Sequence, residues 1–474
     1  MTINSDDLDR REALKLIAGG LGLAALGGTA ACAPATSAAS SSAASQLLRS
    51  AGPAPDRFLA APPIDTVRIG FVGVGGQGTA HVENLLRIEG CVIKAVDDIV
   101  PEKVTRIQDL VEHAGFPRPT GYSRSPTDFV RMCEQEELDL VFHATPWEWH
   151  VPICLAAMRN GKHTATEVPA AYTVDDCWAL VEHAEKYGKH CVMMENCNYG
   201  RMEMMVFNMV RQGVFGEILH AEGGYMHDLR SIKFSSEGEG LWRRAHAMKR
   251  NGNLYPTHGL GPVAHYMNIN RGDRFAYMIS MSSFHRGLEA YREDHVPAGD
   301  PKWKEAYRCG DYNTSIIKTA RGRTIMLQHN VSTPRPYDRI NLIQGTKGIF
   351  RDYPPRIFLD GQAGGHNWAT LDKFKNEFES PLWKKEGETA RKLGGHGGMD
   401  YLMCYRLVQC MREGLEPDID VYDAAAWSVP GPLSEKSQAN GSMPVKFPDF
   451  TRGLWNKERP ILSVNNPSIE SKTK

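Results

Sequence analysis

The sequence lacks an excess of charge of either sign. Its 474 residues carry 55 Lys and Arg against 56 Asp and Glu, which gives a formal net charge of −1. Proteins that bind nucleic acid are typically basic, and long acidic runs are typical of disordered tails. The balance therefore argues against a nucleic-acid partner, and the length allows two domains with cores of their own.

Cysteine pairs of the Cys-x-x-Cys type are also missing, although the chain has ten cysteines. Structural zinc sites and thioredoxin-like motifs usually carry such pairs, so no metal site is predicted. Several cysteines lie in apolar runs, such as Cys91 in "GCVIKAV" and Cys154 in "VPICLAA". We expect them to act as small buried apolar side chains.

The apolar segment near the N-terminus, "IAGGLGLAALGGTAAC", is too short and too rich in glycine to span a membrane. It follows Arg10 and Arg11 and resembles a twin-arginine export signal. Cys32 is either the acylated first residue of a lipoprotein or incidental to ordinary cleavage near Ala-x-Ala. We expect a signal at 1–32, a flexible tether at 33–64, and a protein in the periplasm or at the cell surface, lipid-anchored if Cys32 is acylated.

A glycine-rich turn joins an apolar strand to a helix in "TVRIGFVGVGGQGTAHVENLLRI". Gly73, Gly75 and Gly78 form the pattern G-x-G-x-x-G, which also contains Gly76 and Gln77. Glycines at these positions let the backbone turn tightly and approach a pyrophosphate at the N-terminus of the helix. The strand before the motif and the helix after it make the pattern typical of dinucleotide binding.

An acidic pair follows about 20 residues later, where "CVIKAVDDI" ends a second strand in Asp97 and Asp98. A carboxylate at this point can accept hydrogen bonds from the adenosine ribose, and it disfavours a 2′-phosphate. The sequence therefore predicts NAD as the cofactor, with Asp98 slightly better placed than Asp97.

Further strand–helix alternation predicts a parallel sheet with ligands beyond the carboxyl ends of its strands. Those ends hold residues 145–150, the turn at 167–169, and Glu195 with Asn196. From about residue 200, alternating and β-branched runs separated by turn signals predict a second domain rich in strands.

Two levels of resemblance follow from these motifs. "GVGGQG", "ATPWEWH", "EVP" and "MENCNYGRM" resemble the glucose–fructose oxidoreductase/inositol dehydrogenase family. More narrowly, "WEWH", "ENCNYGR", "GGYMHDLR", "NLYPTHGLGP" and "GGHGGMDY" resemble glycoside hydrolase family 109 over nearly the whole mature chain. Members of that family are NAD-dependent glycosidases, and their reference activity is α-N-acetylgalactosaminidase.

The resemblance implies an α/β plus α+β protein. An N-terminal Rossmann dinucleotide-binding domain is expected at 65–197, a C-terminal α/β domain with a large, mostly antiparallel sheet at 198–460, and a tail at 461–474. The exposed face of that sheet often mediates dimers in the wider family, which leaves a homodimer open.

The chain lacks the residues that usually handle the alcohol proton in the wider family. There, a lysine in a Glu-Lys-Pro turn acts with an Asp-x-x-x-His pair. Here Val168 occupies the position of the lysine, and Thr257 and Gly261 occupy the positions of the Asp and the His. The segment "YPTH" lies at this point instead, and we expect its His258 and Tyr255 to be catalytic, since histidine titrates near neutrality and a tyrosine hydroxyl can relay a proton.

The resemblance also implies two sets of contacts. Those to the sugar are Tyr225, Arg244, Tyr255, Pro256, Thr257, His258 and Tyr337. Those to the cofactor are Gly73, Gly75, Gly76, Gln77, Gly78, Asp98, Trp147, Glu148, Trp149, His150, Glu167, Val168 and Asn196. For Trp147, Trp149 and His150, packing of their own loop is the alternative to walling the cofactor.

The expected chemistry differs from direct displacement, which uses two carboxylates. Transient oxidation at C3 of the sugar by NAD would make the C2 proton acidic, so that the C1 substituent leaves by elimination, water adds, and the hydride returns. The leading interpretation is a glycosidase acting on N-acetylgalactosaminides without net redox. An NAD-dependent sugar oxidoreductase and a non-catalytic sugar-binding lipoprotein remain the alternatives.

Two further histidine–carboxylate combinations are weaker. His227 and Asp228 are adjacent in a predicted strand, so their side chains point to opposite faces. His396 and Asp400 in "GGHGGMD" lie one turn apart if a helix begins there. We interpret this segment as a glycine loop that caps the active site rather than as a metal site.

Overall fold

The computed structural model describes residues 58–361, 365–393, 395–459 and 461. The predicted export signal with Cys32, most of the tether, and the tail beyond residue 461 lie outside the described residues. Within the described ranges, no helix has both the length and the apolar character that crossing a membrane requires.

The first sheet is parallel and has six strands in the order β3-β2-β1-β4-β5-β6. The strands are β1 Val67–Val72, β2 Cys91–Asp97, β3 Thr120–Tyr122, β4 Leu140–His143, β5 His163–Thr166 and β6 Cys191–Met193. This order reverses between β1 and β4, which opens a crevice at the carboxyl ends of the strands. The predicted Rossmann fold is confirmed.

Helices connect the strands of the first sheet: Gly76–Leu85, Pro101–His113, Asp128–Gln135, Trp147–Arg159 and Val174–Tyr187. The local sequence fixes several of their ends. The side chain of Thr173 accepts a hydrogen bond from the backbone of Asp176, and the same helix ends at Gly188 with φ +61°.

The second sheet has eight strands in the order β13-β12-β11-β7-β10-β9-β8-β14. The strands are β7 Ile218–Met226, β8 Phe275–Ser282, β9 Asn313–Thr319, β10 Thr324–Asn330, β11 Leu342–Gly345, β12 Gly348–Arg351, β13 Arg356–Leu359 and β14 Val445–Lys446. Only β7 and β10 pair in parallel, and the other neighbours are antiparallel. The prediction of a mostly antiparallel sheet is therefore confirmed.

The second part of the chain has ten α-helices among the described residues, and two of them, Thr257–Tyr266 on β7 and Pro430–Ala439 on β8, pack on one face of this sheet. The ten are Arg201–Arg211, Arg230–Phe234, Arg243–Lys249, Thr257–Tyr266, Gly287–His295, Lys375–Phe378, Pro381–Leu393, Met399–Glu413, Val421–Ser428 and Pro430–Ala439. On the other face Tyr277, Ile279, Met281 and Ile316 are exposed. The homodimer implied by the resemblance stays a prediction.

The helix Met399–Glu413 ties the two parts together, because it packs on the helix Gly76–Leu85 of the first domain. Its Arg406 is fully buried and donates two hydrogen bonds to Asp418, with N···O distances of 2.8 and 2.7 Å. The hydroxyl of Tyr199 donates to the same carboxylate at 3.1 Å. All nine cysteines among the described residues are buried and none is in a disulfide, as their apolar settings predicted.

Two glycines let the helix Thr257–Tyr266 lie directly on strand β7. A Cβ atom at Gly223 would come within 2.2 Å of the Gly259 carbonyl oxygen, and one at Gly259 would come within 2.2 Å of the Gly224 nitrogen. The two backbones therefore touch where no side chain can fit. This contact places Thr257 and His258, at the start of the helix, beside Tyr225 on the strand.

We predict that Gly259→Ala lowers the free energy of unfolding by about 1–3 kcal/mol, because the added methyl group must push the helix away from the strand. Urea denaturation measures the change. Gly431→Ala is the matched control, since a Cβ there meets only Asn253 O at 3.5 Å and alanine favours the helix. Equal stability of the two variants would contradict the close backbone contact.

Candidate active site at the junction of the two sheets

The glycine turn between β1 and the first helix has the shape that a dinucleotide needs. Gly73 has φ +80°, and a Cβ at Gly78 would lie 2.0 Å from the Gly73 carbonyl oxygen. At Gly75 and Gly76 an added Cβ would meet no atom within 4 Å, so the space in front of the helix is open. The backbone can therefore approach a pyrophosphate at the helix N-terminus, and the loop fits NAD.

The two acidic residues after β2 differ in their surroundings. Asp98 accepts hydrogen bonds from the backbone nitrogens of Val74, at 2.9 Å, and Val100, at 3.0 Å, so its carboxylate lies against the glycine turn. Burial raises the pKa of Asp97 to about 8, with smaller contributions from Asp128 and Asp98. Asp98 is therefore the acid that lies against the glycine turn, and its contact with the adenosine ribose stays a prediction.

The residues of the segment after β4 point in two directions, His150 and Trp149 into the first domain and Trp147 and Glu148 toward the second. His150 is buried with its ring nitrogens 2.8 Å from Pro169 O and 2.9 Å from Thr145 O, so it joins this loop to the turn after β5. Trp149 packs against Phe129, with ring centroids 6.2 Å apart. For these two residues the contacts favour the alternative of loop packing.

Trp147 and Glu148 face the second domain instead. The Trp147 ring stacks on Tyr255 at 5.8 Å between centroids, and Glu148 Oε1 lies 3.2 Å from His246 Nε2. Trp147 is thus the residue of this loop that reaches the predicted catalytic cluster.

The turn after β5 holds Glu167 and the position of the missing lysine. Glu167 Oε1 lies 2.6 Å from His81 Nε2, and its Oε2 accepts from the backbone nitrogen of Val168. Gln77 Nε2 lies 3.2 Å from the same His81 nitrogen, so the turn is tied to the helix that follows the glycine loop. The side chain of Val168 is buried in the main core and offers no group for a proton.

His258 is held by a carboxylate that the sequence did not assign to it. Its Nδ1 lies 2.7 Å from Glu195 Oε1, and Glu195 is 0% exposed at the end of β6. Burial alone would raise the pKa of Glu195, but the charge and the hydrogen bond of His258 outweigh it, and the pKa lies below its usual value. The position of Glu195 after a parallel strand was the available signal for this role.

The surroundings of His258 explain why Thr257 and Gly261 replace the Asp-x-x-x-His pair of the wider family. A Cβ at Gly261 would come within 2.3 Å of Asn198 Oδ1 and 3.0 Å of Glu195 Cγ, so no side chain fits there. Thr257 is fully buried, and the Pro256 carbonyl accepts from Leu260 in the first helical turn. Glu195 occupies the space next to Gly261, where a histidine would otherwise project.

Three tyrosine rings, those of Tyr225, Tyr255 and Tyr337, lie on the His258 side of this pair. The ring centroid of Tyr225 lies 4.6 Å from that of Tyr255 and 5.2 Å from that of His258, and Tyr255 is 4.9 Å from His258. Tyr337 lies 6.3 Å from Tyr225. Burial raises the pKa of Tyr225 to about 12 and also raises the pKa of Tyr255 well above its usual value, so both hydroxyls stay protonated near neutrality.

The arginine that reaches this cluster is Arg243, whereas the family resemblance implied Arg244. Arg244 makes a two-pronged ion pair with Glu305, at 2.8 and 3.0 Å. The guanidinium carbon of Arg243 lies 5.2 Å from the ring centroid of Tyr255 and 5.3 Å from that of Trp147. Consecutive helical residues point about 100° apart, so only one of the two can face the rings.

Of the two other histidine–carboxylate combinations in the sequence, one forms a pair in the structure and one does not. Asp228 pairs with Arg230 at 2.8 Å and His227 Nδ1 lies 3.3 Å from the Tyr225 hydroxyl, so the two do not act as a pair. In "GGHGGMD", His396 Nδ1 lies 2.8 Å from Asp400 Oδ2. These two residues therefore do form a pair.

Asn196, next to Glu195, contacts this second pair. Its Nδ2 donates to Asp400 Oδ1 at 2.6 Å. The ligand atoms of Glu195, Cys197 and His258 lie within 4.8 Å of one another, which is close enough for a metal ion. Burial raises the pKa of Cys197, which disfavours the thiolate that a metal binds, so these contacts favour a hydrogen-bonded arrangement.

Comparison with known families agrees with both halves of the site. Residues 67–195 match "Oxidoreductase family, NAD-binding Rossmann fold", and residues 199–457 match "Glycosyl hydrolase 109, C-terminal domain". The solved structure of a levoglucosan dehydrogenase in complex with NADH and L-sorbose has a TM-score of 0.64 at 19% identity, covering 81% of this chain and all of that one. At this identity the likeness concerns the fold.

Curated relatives are much more similar. A glycosyl hydrolase family 109 protein of Solibacter usitatus is 57% identical over 401 residues, which are 84% of this chain and 91% of the relative. An α-N-acetylgalactosaminidase of Shewanella oneidensis is 48% identical over 408 residues, 85% of this chain and 89% of the relative. The chain carries an NAD-binding Rossmann domain and belongs to glycosyl hydrolase family 109.

Proposed function

We propose that this protein is a glycosidase that cleaves terminal N-acetylgalactosaminides by a redox–elimination–addition cycle without net redox. The observation that carries the proposal is the His258–Glu195 pair, which lies beside Tyr255 at the carboxyl end of the dinucleotide-binding sheet. Family membership and the relative named as an α-N-acetylgalactosaminidase support the substrate class.

Residues of the first domain would hold the cofactor. The turn Gly73–Gly78 would take the pyrophosphate and Asp98 the adenosine ribose, while Trp147, Glu167 and Asn196 would contact the nicotinamide end. When bound, NAD supplies an acceptor for the hydride on C3 of the sugar and returns it at the end of the cycle.

In this proposal His258 is the base that takes the proton on C2. Its Nδ1 faces Glu195, so Nε2 is the nitrogen available to substrate. A buried, ionised carboxylate stabilises the imidazolium that forms when Nε2 takes a proton, as in other histidine–carboxylate pairs. Once C3 carries a ketone, the C2 proton is acidic enough for a histidine base.

Tyr255 has a different role because its hydroxyl stays protonated. Burial raises the pKa of Tyr255 well above its usual value. The hydroxyl therefore donates a hydrogen bond to the oxygen that becomes negative, or relays its proton, rather than acting as a free base. Arg243 lies over the same ring and adds positive charge on this side of the site.

We predict that His258→Ala lowers kcat/KM on a nitrophenyl α-N-acetylgalactosaminide by about 100-fold to 10,000-fold, the range typical of a lost general base. Glu195→Gln should cause a smaller loss, because the base remains but its imidazolium is less stabilised. His285→Ala, at an exposed histidine paired with Glu289, serves as the control and should leave the rate unchanged. Full activity of His258→Ala would remove the basis of the proposal.

Hydrolysis in D₂O should place deuterium at C2 of the released sugar, since the elimination removes that proton and the addition restores it from solvent. Mass spectrometry or proton NMR of the product measures the exchange. Turnover with no label at C2 would point to direct displacement instead.

Measuring NADH during the reaction distinguishes the proposed glycosidase from an NAD-dependent sugar oxidoreductase. With sugar and NAD⁺ supplied in excess, we expect no NADH beyond one equivalent per enzyme. Continued accumulation of NADH over many turnovers would favour net oxidation.

We further propose that residues 1–32 direct export by the twin-arginine route. Replacing Arg10 and Arg11 together by lysine should leave an uncleaved precursor in the cytoplasm, because that route reads the arginine pair. Fractionation followed by immunoblotting detects the change. If Cys32 is acylated, Cys32→Ser should move the mature protein from the membrane to the soluble fraction, whereas an unchanged distribution would exclude the lipid anchor.

A further inference from the structure

A polar cleft of about 480 Å³ lies in the second domain, apart from the cluster around His258. Its walls come from the start of β7, the turn after the helix Thr257–Tyr266, the turn between β9 and β10, and the segment that follows β14. This volume is within the range of about 300–1,000 Å³ that is typical of small-ligand sites. The side chains of the cleft that concern ligand binding are those of Glu217, Leu219, Arg271, Arg321, Arg323 and Glu458.

The cleft and the candidate active site lie at opposite ends of the same elements. Strand β7 begins at Ile218 in the cleft and carries Tyr225 near its other end. At about 3.3 Å per residue, the strand from Ile218 to Tyr225 spans roughly 23 Å. The helix that carries His258 in its first turn ends shortly before Asn268, which lines the cleft. A ligand bound in the cleft therefore leaves the sugar site beside His258 free.

The guanidinium group of Arg321 is held in place at the edge of the cleft. Its Nε donates to Gly272 O at 3.1 Å, and its Nη2 donates to Asn456 Oδ1 at 3.3 Å. Its guanidinium carbon lies 5.9 Å from the ring centroid of Trp455. In the part of the chain that the structure describes, no hydrogen bond reaches its Nη1. These contacts order the side chain before a ligand binds, which lowers the entropic cost of binding, and they leave donors free.

The other two arginines of the cleft are already compensated by buried carboxylates. Arg271 donates to both oxygens of Asp423, at 2.8 and 2.6 Å. Arg323 Nη1 lies 3.2 Å from Asp273 Oδ2. Both aspartates are fully buried. Because each ion pair neutralises its arginine, these two positive charges do little to attract an anionic ligand.

The carboxylates of Glu217 and Glu458 have no such partners. Both residues are exposed, and within the described ranges no hydrogen bond or ion pair reaches either carboxylate. Together with Arg321, they leave one positive and two negative groups at the cleft that are not compensated. A phosphate, a sulfate or a carboxylate would meet repulsion there. The cleft therefore favours a neutral ligand that both donates and accepts hydrogen bonds.

The hydroxyl groups of a neutral sugar match the uncompensated groups of the cleft. Each hydroxyl can donate one hydrogen bond and accept others. The paired oxygens of a carboxylate and the paired nitrogens of a guanidinium can each bind two neighbouring hydroxyls of one ring. Leu219, which is 48% exposed, adds an apolar surface for the C–H groups of the ring.

We propose that this cleft is a second saccharide-binding site, which holds a neutral sugar unit of a glycan. Arg321 donates to hydroxyl oxygens, and Glu217 and Glu458 accept from hydroxyl groups. No bond is made or broken in the cleft. A glycan carrier that is held there has its other chain ends kept near the active site, at a raised effective concentration. The inference goes beyond the proposed function and does not depend on its cycle.

Saturation-transfer difference NMR tests the chemical class of the ligand. The neutral probes are methyl β-galactoside, methyl β-N-acetylglucosaminide and methyl α-mannoside, and the acidic probe is galacturonate. We expect at least one neutral probe to bind with a Kd of about 1–10 mM, as is typical of a few hydrogen bonds in an open cleft. We expect galacturonate to bind more weakly than that probe, because of the two glutamates.

The variant that tests the location combines Arg321→Ala with Glu458→Ala. Both side chains are exposed, and the backbone nitrogen of Arg321 still donates to Asp273 Oδ1 at 2.9 Å, so the fold should be retained. Arg87→Ala combined with Glu89→Ala is the matched control, since both residues are exposed in the first domain. The cleft variant should weaken probe binding about tenfold or more, and the control should not. Both should keep the melting temperature and the kcat/KM on the nitrophenyl glycoside.

Four results would overturn the proposal. They are no binding of any neutral probe, tighter binding of galacturonate than of every neutral probe, undiminished probe binding by the cleft variant, and loss of nitrophenyl glycoside activity in the cleft variant. Probe binding is measured without turnover, so it is separate from the proposed function. A failed binding test leaves the glycosidase cycle standing, and a failed test of the cycle leaves the binding result standing.

Discussion

The contact between Glu195 and His258 determines how the rest of the site is arranged. A fully buried carboxylate is costly unless a positively charged or hydrogen-bonding partner compensates for lost hydration. His258 provides that partner at 2.7 Å. Since Glu195 follows the last strand of the first sheet and His258 lies in the first turn of a helix that packs on the second, the pair links the cofactor domain to the aromatic cluster.

Backbone packing makes this contact available. The helix of His258 approaches strand β7 only because Gly223 and Gly259 have no side chains, and Gly261 leaves room for Glu195. The lysine and the Asp-x-x-x-His pair of the wider family are thus replaced as a group. Val168 fills the core, Gly261 opens a space, and a carboxylate from another strand enters that space and orients a histidine.

In the glycine segment before the helix Met399–Glu413, a second histidine also contacts a buried carboxylate. Asp400 is reached by Asn196 from the first sheet and by His396 from its own turn. Adjacent residues of one strand end therefore support two imidazoles, one enclosed and one open.

The sequence by itself determined the parts that depend on local backbone requirements. The spacing of Gly73, Gly75 and Gly78, the acid after β2 and the strand–helix alternation predicted the Rossmann domain, because each reflects a constraint within a few residues. Motif resemblance supplied the family and brought Tyr225, Tyr255 and His258 into one predicted site.

Only the tertiary structure decided which side chains face one another. Glu195 and His258 are 63 residues apart, and Asn196 and Asp400 are 204 apart, so no local pattern pairs them. The choice of Arg243 over Arg244 depends on the rotation of a short helix against Trp147 and Tyr255. Such contacts arise from the packing of distant elements, whose relative orientation is a property of the whole fold.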